Sequence, residues 1–148
     1  MAKKEKKLTH AQLKKKVDEW FSKYVRYEAA DQDGNCICFT CGKQYHATKI
    51  QAGHFASRRY ANVRWCTDNV KPQCVACNIY GQGEQYVFGR NLEMQRRGLP
   101  EEIMRRAHES RKFTIAELRD LYAHYRSEAI QFARQKNIVH DKAGATKV

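Results

Sequence analysis

Two Cys-x-x-Cys pairs constrain this chain more than any other feature. Cys38-Phe39-Thr40-Cys41 and Cys74-Val75-Ala76-Cys77 each set two thiols on one tight turn, and four thiolates satisfy the tetrahedral preference of Zn²⁺. One structural zinc held by Cys38, Cys41, Cys74 and Cys77 is therefore expected. A closed four-sulfur site has no open position for water, so this zinc is scaffold and not catalyst. Six cysteines could also form three disulfides in a secreted protein. The lysine-rich start, however, leads into an amphipathic helix and not into the apolar core of a signal peptide, so metal binding is the expectation. Cys36 and Cys66 are left over and assigned to packing.

A chain of 148 residues has room for one compact domain with flanking helices. Its 28 Lys and Arg against 16 Asp and Glu leave a formal charge of +12, which points to a polyanionic partner, nucleic acid first. No run approaches the roughly 20 apolar residues that span a bilayer, so no membrane partner is expected and the location is the cytoplasm, of the host cell if phage-encoded. The positive excess is largest between the flanks, because residues 35–99 hold nine Lys or Arg against three acids. The metal module itself should face the polyanion.

Three regions follow from the patterning. Residues 1–34 combine a basic arm with an amphipathic helix that starts at a Thr9/Gln12 capping box, shows Leu13, Val17, Trp20, Tyr24 and Tyr27 on one face, and ends before Asp33-Gly34. Residues 35–95 form the metal module, with short β-prone pieces and a helix that begins near the second cysteine pair and carries Asn78. Residues 96–148 are helical. One helix opens at Leu99-Pro100-Glu101-Glu102, with proline in its first turn and acids facing the dipole. Another opens at a Thr114/Glu117 capping box and aligns Leu118, Leu121, Tyr122, Tyr125, Ala129 and Phe132. The tail after Asn137 should fray.

Between the cysteine pairs lies Ala52-Gly53-His54-Phe55-Ala56-Ser57-Arg58, then Asp68-Asn69, and Asn78 follows Cys77 directly. A histidine on a strand, an asparagine ahead of the second pair and an asparagine on the helix after it make the order of a ββα-metal nuclease. The stretch resembles the His-Asn-His endonucleases, and within them the NinG (Rap) family of phage recombination endonucleases. The likeness rests on both cysteine pairs, Ala52-Gly53-His54-Phe55 with Ser57-Arg58, Asp68-Asn69, Gln73, Asn78, and Ser110-Arg111-Lys112-Phe113-Thr114-Ile115, and covers about residues 36–132. It implies an α+β fold with a small treble-clef ββα-metal zinc module and flanking N- and C-terminal helices. It also implies a metal-dependent DNA endonuclease acting on branched recombination intermediates such as Holliday junctions, D-loops and flaps.

Phosphodiester hydrolysis needs an activated water, charge neutralisation on the phosphoryl oxygens and help for the departing oxygen. His54, with an ordinary pKa of about 6.5, can take the water proton at neutral pH. Asn78, by resemblance, would ligate a catalytic Mg²⁺ or Mn²⁺, and Asn69 would hold the histidine loop by hydrogen bonds. Arg58, Arg59 and Arg64 are candidates to clamp DNA phosphates, or are solvated charge. Many His-Asn-His nucleases carry an acid or histidine just before the catalytic histidine, where this chain has Gly53. The second metal ligand is then sought among Asp68, His46, Gln51 and Glu84, with Asp68 preferred because it is anionic and adjoins Asn69.

Tyr45, Tyr60, Trp65, Tyr80, Tyr86 and Phe88 interleave with basic residues, suited to stacking on unpaired bases or to the core. The stripe Leu118, Leu121, Tyr125 and Phe132 offers a homodimer contact, since paired cuts at a symmetrical junction need two sites. The rival reading is a non-catalytic, zinc-dependent nucleic-acid-binding protein, which Gly53 favours.

Overall fold

The structure is a computed structural model that describes residues 6–139. Most of the basic arm and nearly all of the expected frayed tail lie outside the described residues. Helix α1, His10–Ala29, opens as its sequence requires: Thr9 Oγ1 accepts from the Gln12 amide while the Thr9 amide donates to Gln12 Oε1. Leu13, Val17 and Tyr27 of the expected stripe are buried and are joined by Phe21 and Val25, while Trp20 and Tyr24 are only partly buried. The reason is that α1 packs against a second long helix and also against a hairpin, so it buries more than one face. Near its C-terminus Lys136 Nζ donates to the carbonyls of Tyr27 (2.8 Å) and Glu28 (2.6 Å), where a cation complements the helix dipole.

Two short antiparallel hairpins follow. Strand β1, Asn35–Ile37, pairs with β2, Gln44–His46, and β3, Gln51–His54, pairs with β4, Val70–Gln73. Cys38 and Cys41 lie in the turn of the first hairpin, where the Gly42 amide reaches the Cys38 carbonyl at 3.0 Å and Gly42 takes φ +76°, the left-handed conformation that glycine adopts without penalty. The short helix α2, Ala61–Arg64, sits inside the β3–β4 connection. In place of a regular helix after the second cysteine pair, Ala76–Tyr80 forms a π-helical turn, closed by the Gly81 amide on the Ala76 carbonyl at 2.7 Å. Such widened turns gather at functional positions.

Helices α3, Gln85–Gln95, α4, Leu99–Ala107, and α5, Ile115–Gln135, complete an α+β chain. Helix α4 starts with the expected proline and acids, Glu101 and Glu102, in its first turn. Thr114 caps α5 by accepting from the Glu117 amide, but the Glu117 carboxylate turns to Arg111 at 3.1 Å, so the expected reciprocal box is one-sided. The α5 stripe packs on α1: Tyr125 meets Phe21 (4.8 Å between ring centres) and Tyr24 (5.0 Å), and Phe132 meets Tyr24. The stripe expected to offer a homodimer contact thus packs within the chain, where Leu118 is fully buried. Apolar burial divides into three clusters: around the cysteines, between α1 and Trp65, and among Val63, Phe88, Leu92 and Ile103.

Candidate functional site

The sulfur atoms of Cys38, Cys41, Cys74 and Cys77 all lie within 4.8 Å of one another. A zinc–sulfur bond of about 2.3 Å in tetrahedral geometry puts neighbouring sulfurs about 3.8 Å apart, and Cys41 Sγ stands 3.8 Å from Cys74 Sγ. That separation excludes a disulfide, whose sulfurs lie about 2 Å apart. Burial works against ionisation of Cys38, yet the amides of Cys74 and Cys41 and the Thr40 hydroxyl bond its sulfur and bring the thiol down to about 6. Burial and the hydrogen bond with Cys74 push Cys77 up to about 12. The four sulfurs fit a zinc ion, whose charge is what would let all of them ionise together. Cys36 is fully packed beside this cluster, where burial pushes its thiol up to about 11.

A cavity of about 500 Å³ opens beside the cluster and is lined by Asp18 and Ser22 of α1, Gln51 and His54 of β3, Ser57 and Arg58 of the following loop, Asn78 of the π-turn, and Gln82, Gly83 and Gln85. His54 Nε2 lies 2.9 Å from the Arg64 carbonyl. A carbonyl only accepts, so Nε2 carries the hydrogen and Nδ1 keeps the free lone pair of the neutral ring. Burial lowers the His54 pKa, and the cations Arg58 and Arg64 lower it further, against the opposing pull of the Arg64 carbonyl and of Asp18. The imidazole is therefore neutral at neutral pH, which is the form a general base requires.

Asn78 donates Nδ2 to Gln51 Oε1 at 2.8 Å, leaving Oδ1 as the atom it can offer to a cation. Asn69 is fully buried. Its Oδ1 accepts from the Ala56 amide (2.7 Å), and its Nδ2 donates to the Ala56 and Val63 carbonyls (both 3.0 Å), so it ties the loop after His54 to α2 and is not itself among the residues that line the cavity. Gly53 lies against Gln73: a β-carbon there would collide with the amide of that side chain, which is itself fully buried and donates to Thr40 and to the Gly83 carbonyl. A larger residue at position 53 has no room.

Several expected site residues lie elsewhere. Asp68, the preferred second metal ligand, does not line the cavity and faces Arg106 at 3.6 Å. His46 bonds Thr48 in the β2 turn, and Glu84 sits outside the lining; of the candidates only Gln51 is there. Arg64, expected to clamp phosphate, is used internally: Nε and Nη2 donate to the two oxygens of Asp18 at 2.9 and 2.5 Å, and Nη1 donates to the Arg58 carbonyl. Arg58 remains at the rim, whereas Arg59 lies over the Tyr60 ring and outside this lining. Among the aromatics, Phe88 and Trp65 are core, while Tyr80 and Tyr86 are 83% and 80% exposed.

Sequence reasoning missed Asp18, the carboxylate of the cavity, which also accepts from Trp65 Nε1 at 2.9 Å. No local pattern marks it, because its partners stand more than forty residues away. The connection from Gln82 to Glu84 holds three successive positive φ angles, 54°, 86° and 46°. Two of these residues are not glycine, and such strain gathers beside functional sites. Among known proteins, residues 1–135 match the family model described as Bacteriophage Lambda NinG protein. No curated protein and no solved structure matches the chain.

Proposed function

The chain belongs to the bacteriophage lambda NinG family, and from that premise we propose that it is a metal-dependent DNA endonuclease of the His-Asn-His, ββα-metal type. The observation that carries the reading is His54, whose Nε2–H is fixed on the Arg64 carbonyl while Nδ1 is left free beside Asn78 in one cavity. In this reading the four cysteines hold a structural zinc in a treble-clef module, and the loop tie of Asn69 keeps the base in place. Nδ1 takes the proton of the attacking water, and the ring can be held in that tautomer without a carboxylate partner. Asn78 Oδ1 is the side-chain oxygen suited to hold Mg²⁺ or Mn²⁺, with water and substrate phosphate oxygens completing a hard-cation shell. When bound, that ion supplies charge neutralisation at the phosphate and stabilises the leaving oxygen. Arg58 at the rim serves the phosphate as a cation with no acidic partner among the described residues. The preference for Holliday junctions, D-loops and flaps rests on resemblance to the family. Action in the host cytoplasm belongs to the same proposal.

A second reading, a zinc-dependent nucleic-acid-binding protein without catalysis, is favoured by two observations. The cavity's carboxylate, Asp18, is already satisfied by Arg64 and Trp65, and Gly53 offers a metal nothing. The test is incubation of zinc-loaded protein with labelled Holliday-junction, flap and linear duplex DNA, with Mg²⁺, Mn²⁺ or neither, alongside His54→Ala. Metal-dependent cutting that favours branched DNA and falls about 10²- to 10⁴-fold in the variant supports the nuclease. Binding by both proteins with cutting by neither selects the second reading.

A further inference from the structure

Next to the cavity lies a recess of about 400 Å³ whose lining includes Lys14 of α1, Arg58 and Arg59 of the loop after β3, and Arg111 and Lys112 of the segment before α5. None of the residues lining it is acidic. Arg64 and Arg111 also border it, but their charges are answered by Asp18 and Glu117. Lys14, Arg58, Arg59 and Lys112 have no ion-pair partner among the described residues, so four uncompensated cations from three distant segments converge on one opening. Bringing like charges together costs free energy unless an anion is bound there. The floor is packed: Trp65 and Phe113 meet edge to face at 5.0 Å, His10 bonds the Phe113 carbonyl at 2.8 Å, and Arg111 lies over the Phe113 ring. Arg58 lines both the recess and the His54 cavity, which places the two openings side by side.

We infer that this recess is a second phosphate-binding site, which takes the sugar-phosphate backbone of the DNA arm flanking the bond placed at His54. The identity of the occupant rests on the nuclease reading above; the convergence of unpaired cations does not. Arg58 bridges the two sites, while Lys14 and Lys112 serve the flanking phosphates alone. They contribute to affinity and to the placement of the arm, and not to the reacting atoms.

The experiment uses the full zinc-loaded chain with no added Mg²⁺ or Mn²⁺. Binding of a labelled Holliday junction is measured across a range of salt concentration for the wild type, for Lys14→Gln/Lys112→Gln, and for a control pair on the α3–α4 side, Arg90→Gln/Arg97→Gln. Each lost phosphate contact lowers the slope of log affinity against log salt by about 0.9. The lysine pair is therefore expected to reduce the slope by about 2, and the control pair to leave it unchanged. An unchanged slope for the lysine pair, or an equal reduction in both pairs, overturns the site. With Mg²⁺ present, the lysine variant should raise KM and keep the wild-type rate at saturating DNA; loss of the saturated rate would also overturn the assignment. Absence of cutting by the wild type would defeat the nuclease reading while the salt slope still decided the recess.

Discussion

The four-sulfur cluster and the His54 cavity share one hairpin and are built on opposite principles. Cys74 follows directly on Gln73 at one end of the β3–β4 pairing, and His54 closes the other. The cluster is assembled from two local turns whose sulfurs face one another, and three of its four cysteines are buried in a shared core with Tyr27 and Ile50. The cavity draws on α1, β3, the loop after it and the π-turn, and it leaves two side-chain atoms unspent, His54 Nδ1 and Asn78 Oδ1. A region whose groups turn inward on one another can hold a fold, and a region whose groups face an opening can act on something else. The strained turn from Gln82 to Glu84 falls on the cavity's side of this division.

The sharpest way to break the comparison is to remove one sulfur. Cys74→Ser, or exhaustive chelation, should abolish zinc binding and the cooperative thermal transition together, because metal binding and folding of so small a module are one equilibrium. Zinc content and circular dichroism melting would show this. His54→Ala should retain both, and loss of zinc in that variant would mean that the two regions are not separable.

Asp18→Asn comes next. It removes the charge that anchors Arg64 and Trp65 at a position where both partners are largely shielded, and about 3 kcal/mol of stability should go in denaturant unfolding. The same change sharpens the cavity's electrostatics. Asp18 raises the His54 pKa, so its removal lowers that pKa further. Under the nuclease proposal, in which His54 acts unprotonated, the acidic limb of the cleavage profile should move to lower pH in Asp18→Asn, and movement to higher pH would contradict the proposed role. In the wild type that limb should already lie below the ordinary histidine value of about 6.5.

Gly53→Ala tests the seam between the two regions. Its β-carbon would press on buried Gln73, and overpacking of this kind costs about 2 kcal/mol, with zinc content unchanged. The smallest effect is a gain. Glu84→Gly relieves a left-handed residue at φ 46° and should stabilise by about 1 kcal/mol. A variant that melts higher yet cuts more slowly would tie the strain to the cavity.

How far the sequence reaches follows the same division. The capped start of α1, the proline and acids of α4 and the Thr114 cap of α5 were legible because each lies within one turn of chain. The cysteine pairs were legible because two intervening residues fix the approach of their sulfurs. His54 and Asn78 could be chosen as candidates by order along the chain, and they do line one cavity. Asp68 was misplaced because adjacency to Asn69 says nothing about direction: Asn69 turns inward to the loop while Asp68 turns out to Arg106. Arg64 looked like a phosphate clamp because its partner, Asp18, lies on another helix. The α5 stripe looked free because nothing local states that α1 covers it.

By itself, then, the sequence determined the starts of α1, α4 and α5, the sulfur set, the positive excess and the family, all of which depend on residue type and short spacing. Only the tertiary structure decided which nitrogen of His54 is free, why position 53 must be glycine, where Asp18 stands, and that Lys14, Arg58, Arg59 and Lys112 share one opening. The physical reason is range. Caps and Cys-x-x-Cys turns are set by bonds a few residues long, whereas a proton's position, a steric limit and a field of converging charge are set by atoms that only folding brings near.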